Sequence, residues 1–468
     1  MSTATAPATA LAVSQTARWR VLLGAVIVQL ILGTVYGYSI FWTPLEDHVF
    51  PRVIIQGAAS SATAAPANLS VVSVPNEAAA SKLHTEQTGK LKYAFGVCIL
   101  AFALVMVFAG RVQDRRGPVL TALAGGGLLG GGFLVAGLLL QARPAETISL
   151  LGLWLTIGLL AGAGIGFAYV CPIAALVKWF PDKKGLVSGI AVAGFGFGAY
   201  FFSSRDLPIG APAFIDTHGI PSFFLMHGVV CLVAVSIGAL MLSNPPGAPP
   251  RASQEADWKE MLRRPAFYML WPMFFSGALA GLTVIVIMKD FAGEQILAAH
   301  TAGGAALTEA MRADLLRRGA AAVGMLAIFN AVGRVVWGLL SDRIGRTSSF
   351  VLKFALQACV LFALPAMRSE MAIAVAACAI GFNFGGNFAL FPSATADLFG
   401  ARNLGANYGL VFTSYGIAGV VGTFSGNLAK ALAGSFDAAF YLAGVLCVVS
   451  AGLAVALHAS RSRTPATA

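Results

Sequence analysis

One basic residue in this chain stands where a charge is costly. Residues 327–346 read AIFNAVGRVVWGLLSDRIGR, an apolar helix that carries Arg334 and then closes on the charged turn around Asp342. At 1.5 Å rise per residue, Arg334 lies roughly 12 Å along the helix from Asp342. That is close to the middle of a hydrocarbon slab about 30 Å thick. A cation there costs on the order of 2.5–3.5 kcal/mol, so it should face protein, water or an anionic ligand. A guanidinium keeps its charge at any relevant pH, and its planar fork matches a carboxylate. The chemistry indicated is recognition of a small carboxylate inside a membrane. The competing reading is a structural pair with an acid elsewhere, although most Asp and Glu fall at helix ends or in loops.

The composition sets the surroundings of that arginine. Of 468 residues, 57% are hydrophobic and 11% charged, against about 25% charged in an average soluble domain. Long apolar runs recur throughout, so the bilayer is the solvent for most of the chain. A formal net charge of +11 does not indicate nucleic acid, because the basic residues sit in separate short loops rather than on one face. The six cysteines, Cys98, Cys171, Cys231, Cys359, Cys378 and Cys447, all fall inside apolar spans without C-x-x-C spacing. Neither a disulfide framework nor a metal site is indicated, and no cofactor is expected.

Residues 1–17 are Ala/Thr/Ser-rich and read as a disordered cytoplasmic tail. An N-terminal half at 18–243 contains spans at 21–42, 91–110, 119–141, 148–177, 185–204 and 221–242. The first is read as an uncleaved helix, since no small-x-small cleavage site follows it directly. A polar, Ala/Ser/Pro-rich insert at 46–89 is expected to be an extracytoplasmic mobile loop or small excursion. A Pro-rich charged linker at 244–264 is the clearest boundary. The C-terminal half at 265–459 contains spans at 266–288, 320–340, 349–367, 371–395, 405–427 and 438–458, with 299–318 read as an amphipathic polar loop. A cytoplasmic tail at 460–468 ends the chain.

With both termini in the cytoplasm, the short inner segments hold 17 Lys and Arg and the short outer loops four, Arg143, Arg205, Arg368 and Lys430. That imbalance sets the expected orientation. The halves also repeat. GRVQDRRGP at 110–118 echoes GLLSDRIGR at 338–346, matching Gly110 with Gly338, Asp114 with Asp342 and Arg115 with Arg343. A second set agrees at an offset of 220, including Pro172 with Pro392 and Gly185 with Gly405. Parallel repeats of this kind are expected where a transport site lies between two halves near the midplane. Asp114 and Asp342, at helix ends, can accept from a neighbouring helix's free N–H groups and pair with basic residues, latching the halves. The bland alternative is topological charge at a short inner loop.

The paired motifs resemble those of the major facilitator superfamily. Within it, GTVYGYSIF at 33–41, FAYVCPIAALVKWFPDKKG at 167–185 and FGGNFALFPSATADLFG at 384–400 are similar to the oxalate/formate antiporter family, which is akin to the monocarboxylate transporters. The resemblance spans the chain apart from the tails and the 46–89 insert. It implies an all-α membrane protein of twelve helices in two six-helix, pseudo-symmetric halves. It also implies that the arginine of R-x-x-x-G on the eighth helix, here Arg334, binds the substrate carboxylate. Two departures stand out. Asn330 occupies the place four residues earlier where monocarboxylate transporters often carry an acid, which puts proton coupling through that position in question. Tyr415 stands where oxalate-transporting members resemble a two-cation design with a lysine. One cation favours a monoanion over a dianion such as oxalate.

Candidate partners for a bound carboxylate are polar residues otherwise awkward in a membrane helix, Tyr36, Tyr38, Tyr169, Asn330, Asn383, Asn387 and Tyr415, although taken singly each is read as helix–helix packing before ligand contact. Of these, Tyr36, Tyr169 and Tyr415 lie on helices that the resemblance places along the cavity. His227 reads as a packing residue. Glycines at small-x-x-x-small spacing, such as Gly162 and Gly166 or Gly194 and Gly198, mark close helix packing and say nothing of substrate. The expectation is a monomeric secondary transporter of a small organic anion in a plasma or bacterial inner membrane, with protons as a second candidate partner. Antiport and proton symport both remain open. A carrier for a neutral solute with a structural Arg334, and a non-transporting membrane sensor, are the alternatives. The motifs H-E-x-x-H and G-x-S-x-G and a phosphate-binding Gly-rich loop are not found in the required context.

Overall fold

Among the described residues, twelve stretches are helical, apolar and long enough to cross a bilayer. They are α1 (Gln15–Val49), α2 (Glu77–Arg116), α3 (Pro118–Gln141), α4 (Glu146–Trp179), α5 (Pro181–Ser203) and α6 (Ala211–Met241) in the first half. The second half holds α7 (Pro265–Thr301), α8 (Ala322–Ile344), α9 (Arg346–Ala366), α10 (Glu370–Phe399), α11 (Leu404–Ala433) and α12 (Asp437–Ser460). This computed structural model describes residues 15–56, 71–204, 210–246, 255–301 and 308–462. Most of the N-terminal tail, the middle of the insert, Arg205, part of the linker, residues 302–307 and the end of the C-terminal tail lie outside those residues.

The halves meet along two equivalent seams, α5 against α8 and α2 against α11. Exchanging the halves exchanges the seams, as parallel repeats require. Glycine makes the close approaches possible. A Cβ at Gly189 of α5 would sit 2.3 Å from the Arg334 carbonyl oxygen of α8, so only a hydrogen fits there. Pro172 and Pro392, matched in the repeat, both lie inside helices, α4 and α10. α1 is not one regular α-helix: Gly33–Phe41 tightens to a 3₁₀ helix in mid-span, and Gly33 lies against the Phe195 backbone of α5.

Two sequence expectations need correction. Residues 77–89 of the insert are the start of α2, capped by the Asn76 side chain accepting from Ala79 N at 2.9 Å. Before them, β1 (Arg52–Ile55) and β2 (Val71–Val74) form a short parallel pair with Arg52 opposite Val71. The described parts of the polar loop expected at 299–318 are helical as well, apart from the cap at Thr308; residues 302–307 lie outside the described residues. α7 runs to Thr301, and the helix that becomes α8 starts at Glu309 with Thr308 as its cap. Helix that protrudes into water needs no apolar face, so it carries no hydrophobic period. Arg318 stabilises it through ion pairs with Asp314 at 3.1 Å and Glu370 at 3.2 Å. α6 begins earlier than its apolar run, at Ala211, and bends at Gly219 (φ 77°) ahead of Pro221.

Candidate functional site

Arg334 is fully buried, at 0% exposure. Its Nε donates to Asn330 Oδ1 at 3.1 Å, one turn earlier on α8. Its Nη1 donates to the Val192 carbonyl of α5 at 2.5 Å, across the seam between the halves. Nη2 makes no hydrogen bond of standard geometry among the described residues, the Tyr36 hydroxyl lies beside the guanidinium, and the ion pairs among the described residues all involve other cations. The guanidinium carbon lies 4.5 Å from the Phe388 ring centroid of α10 and 5.7 Å from that of Phe195 of α5. Aromatic faces are favourable for a cation but neutralise nothing. The charge remains available to an anion.

Four phenols lie within electrostatic reach of that charge: Tyr36, Tyr169, Tyr408 and Tyr415. The Tyr36 and Tyr415 hydroxyls share a 2.7 Å hydrogen bond. Those of Tyr169 and Tyr408 lie against each other and make no hydrogen bond of standard geometry among the described residues. Phe195 packs edge-on against Tyr36 at 5.1 Å and Tyr169 at 5.3 Å, while Phe412 lies 4.9 Å from Tyr415 and 5.7 Å from Tyr408. The result is an apolar box from both halves, with hydroxyls and one guanidinium as its polar groups. Such a set suits a small ligand with a carboxylate at one end.

Of the residues singled out in the sequence, Arg334, Asn330, Tyr36, Tyr169 and Tyr415 come together. Asn387 does not. It is turned away from the arginine toward Gly277 of α7, where a Cβ would stand 2.5 Å from its Oδ1. The adjacent Phe388 faces the guanidinium instead, because one residue is about 100° of helix rotation. Tyr38 lies in the N-terminal half's own core against Phe41 and Phe133, and His227 is caged by Phe133, Phe202 and Phe223 with Thr34 Oγ1 3.3 Å from its Nε2. Tyr408, Phe195 and Phe388 were not singled out, although Tyr408, Phe412 and Tyr415 share one face by spacing. The reading of a single buried cation also needs correction: Lys353 of α9 is 1% exposed.

At the repeated motifs, Asp342 accepts from the N–H groups of Gly185 and Leu186 at 2.9 and 2.8 Å, where α5 begins. Asp114 accepts from Gly405 and Ala406 at 3.1 and 2.8 Å, where α11 begins. Each aspartate thus fills orphan donors of a helix in the other half. Gly338 and Gly110 lie directly against the backbones of Gly185 and Gly405. The basic partner of Asp342 is Arg346, at 2.8 Å. Arg343 and Arg115 are exposed and make no ion pair among the described residues. Asp397 extends the Asp342 cluster, binding Arg346 and Lys184 of α5 at 2.8 and 2.7 Å.

The family model of the Major Facilitator Superfamily matches residues 57–423 and 304–468. The uncharacterized MFS-type transporter YhjX of Escherichia coli (strain K12) is 31% identical over 415 residues, covering 87% of each chain. The oxalate:formate antiporter of Oxalobacter formigenes is 30% identical over 354 residues, 74% of this chain and 77% of that protein. The apicoplast pyruvate carrier 1 of Toxoplasma gondii is 29% identical over 468 residues, 85% and 81% of the two chains. The transporter FucP in its outward conformation superposes with a TM-score of 0.61 at 14% identity, covering 93% of this chain and 98% of that one. Two six-helix halves, the duplicated aspartate motif and these matches lead to one conclusion: the chain belongs to the major facilitator superfamily and is related to the oxalate:formate antiporter and the monocarboxylate transporters.

Proposed function

We propose that this protein is a secondary active transporter of a small carboxylate anion, with a monocarboxylate of the formate, lactate or pyruvate size favoured over a dianion. The observation that carries the reading is Arg334, a fully buried guanidinium whose Nη2 makes no hydrogen bond of standard geometry among the described residues, set in a box of four phenols drawn from both halves. Two relatives are named for small carboxylates, oxalate and formate in one and pyruvate in the other, which supports a carboxylate here. Lys353 lies beyond Asn387, outside the group that surrounds Arg334, so one guanidinium meets the ligand and one carboxylate balances it.

Transport proceeds by alternating access. The anion neutralises Arg334, and the halves then rock about it. With both termini cytoplasmic, the motif end is the inner gate, held by the bonds of Asp342 and Asp114 across the halves. The protein acts as a monomer in a bacterial inner or plasma membrane.

Counterflow in proteoliposomes with labelled formate, lactate, pyruvate and oxalate tests this. The wild type exchanges a monocarboxylate fastest, and Arg334→Gln abolishes that exchange. An Arg334→Gln protein that binds and exchanges carboxylates normally would make the arginine structural and overturn the assignment. Oxalate as the fastest substrate would overturn the preference for a monoanion.

A further inference from the structure

Lys353 lies two turns into α9, inside the C-terminal half, with Nζ 4.0 Å from the Phe354 ring centroid. Nζ also borders Gly277 of α7, where a Cβ would stand 3.0 Å from it and 2.5 Å from Asn387 Oδ1 of α10. Gln357, one turn further on the same face of α9, is 2% exposed. Neither amide atom of Gln357 or of Asn387 has a hydrogen-bond partner among the described residues. α8, α10 and α12 pack against α9, and the titratable group facing Lys353 from α12 is the Cys447 thiol. Among the described residues no carboxylate pairs with it. The surroundings are neutral amides, an aromatic ring and one thiol.

Arginine and lysine differ in what such a place permits. A buried guanidinium keeps its proton, whereas a buried amine is able to give its proton up and take it back. Amides accommodate either form, donating to a neutral nitrogen and accepting from an ammonium. The groups pack closely at Gly277, where a single added carbon would already collide with Asn387 Oδ1. The group therefore suits a proton rather than an ion. It also has a short route to the anion site: Asn387 adjoins Phe388, whose ring lies 4.5 Å from the Arg334 guanidinium carbon.

We propose that Lys353 is the proton-exchanging group of this transporter, taking up one proton with each monocarboxylate bound at Arg334. The proposal rests on the carboxylate reading of Arg334. A proton from solution forms an N–H bond at Nζ on one side of the membrane, and that bond breaks to solution on the other. A carboxylate at Arg334 favours the proton at Lys353, and the proton favours the carboxylate by the same factor. One monoanion and one proton leave the loaded carrier with the net charge of the empty one. No oxidant or reductant is involved.

The test uses the full chain in proteoliposomes with labelled pyruvate, or with formate or lactate if either exchanges faster. Counterflow at equal pH and accumulation driven by an imposed pH gradient are measured side by side. The wild type accumulates label, Lys353→Gln and Lys353→Arg lose that accumulation at least tenfold, and counterflow in both stays within threefold. Adding the same carboxylate to weakly buffered, detergent-solubilised wild type takes up protons, a readout that needs no variant to fold. A wild type that exchanges label without gradient-driven accumulation overturns the proposal, as does Lys353→Gln that still accumulates it. In either case the Arg334 reading stands. That reading fails separately, if Arg334→Gln keeps counterflow.

Discussion

The hydroxyl of Tyr36 on α1 lies 2.7 Å from that of Tyr415 on α11, joining the two halves beside Arg334. Both rings also border the arginine's own aromatic neighbours, Tyr36 through Phe195 and Tyr415 through Phe388 at 5.4 Å. This hydrogen bond has to loosen whenever the halves separate at the site. A neutral hydrogen bond contributes about 1 kcal/mol net. Tyr415→Phe is therefore expected to change the half-saturation of counterflow by about fivefold while leaving transport in place. A complete loss of exchange in Tyr415→Phe would mean that the phenol does more than bridge the halves.

Tyr415 also sets the charge of the box. It stands where oxalate-transporting relatives, by resemblance, place a second cation, and it is 1% exposed. Tyr415→Lys puts an ammonium near Arg334, where a monoanion cannot balance both charges but a dianion can. The substitution is expected to raise oxalate exchange relative to formate exchange by at least about tenfold, a shift of about 1.4 kcal/mol. Parallel counterflow with the two labels measures the ratio. An unchanged ratio would place position 415 outside the ligand's reach.

Arg334→Lys separates charge from geometry. The ammonium keeps a positive charge on α8 but gives up the fork that reaches Asn330 through Nε and Val192 through Nη1. Substrate affinity is expected to fall by at least about tenfold, a loss of about 1.4 kcal/mol. Substrate-dependent protection against thermal unfolding in detergent measures it. Full retention would show that a point charge suffices and that the guanidinium plane is incidental.

The two latch aspartates bear unequal loads. Asp342 and Asp114 each accept two backbone N–H groups from the other half, but Asp342 also pairs with Arg346 in a cluster that continues to Asp397 and Lys184. Hydrogen bonds to a charged group contribute about 1.5–3 kcal/mol, and an Asn retains one acceptor oxygen. Asp342→Asn is expected to shift the population toward opening at the motif end by about 1–3 kcal/mol, and Asp114→Asn by less. Spin labels at Arg116→Cys and Ile344→Cys, both exposed positions on opposite halves, report the separation. Equal shifts in the two variants would rule out a contribution from the Arg346 cluster.

The twelve spans and the duplicated motif were legible because each leaves a length or a repeat in the sequence. Arg334 was legible because a charge in an apolar run needs a reason. Lys353 offered the same signal and was passed over: one lysine barely alters the hydropathy of the SSFVLKFALQACV stretch. Asn387 was assigned to the wrong neighbour because α10 is apolar around its circumference, so no amphipathic period tells which of Asn387 and Phe388 faces the arginine. The helical extensions at 77–89 and before α8 were read as loops for the opposite reason, since polar helices in water have no buried stripe. Tyr408 could have been found from its spacing to Phe412 and Tyr415.

The glycines of the latch give a test that changes no charge. A Cβ at Gly338 would stand 2.2 Å from the Gly185 carbonyl oxygen, and one at Gly110 would stand 2.1 Å from the Gly405 carbonyl oxygen. Both obstacles are backbone atoms, which cannot turn aside as a side chain can, so the two helices must move apart. Gly127 of α3 meets nothing within 4 Å. Within a helix, Gly→Ala is otherwise favourable by about 0.8–1 kcal/mol, so Gly127→Ala is expected to be neutral or slightly stabilising. Gly338→Ala and Gly110→Ala are expected to widen the motif-end label distance and to depress the thermal midpoint, with Gly127→Ala altering neither in that direction. If Gly338→Ala closes as tightly as wild type, backbone contact at the seam is not what holds the halves together there, and the aspartate bonds alone must account for the closed state.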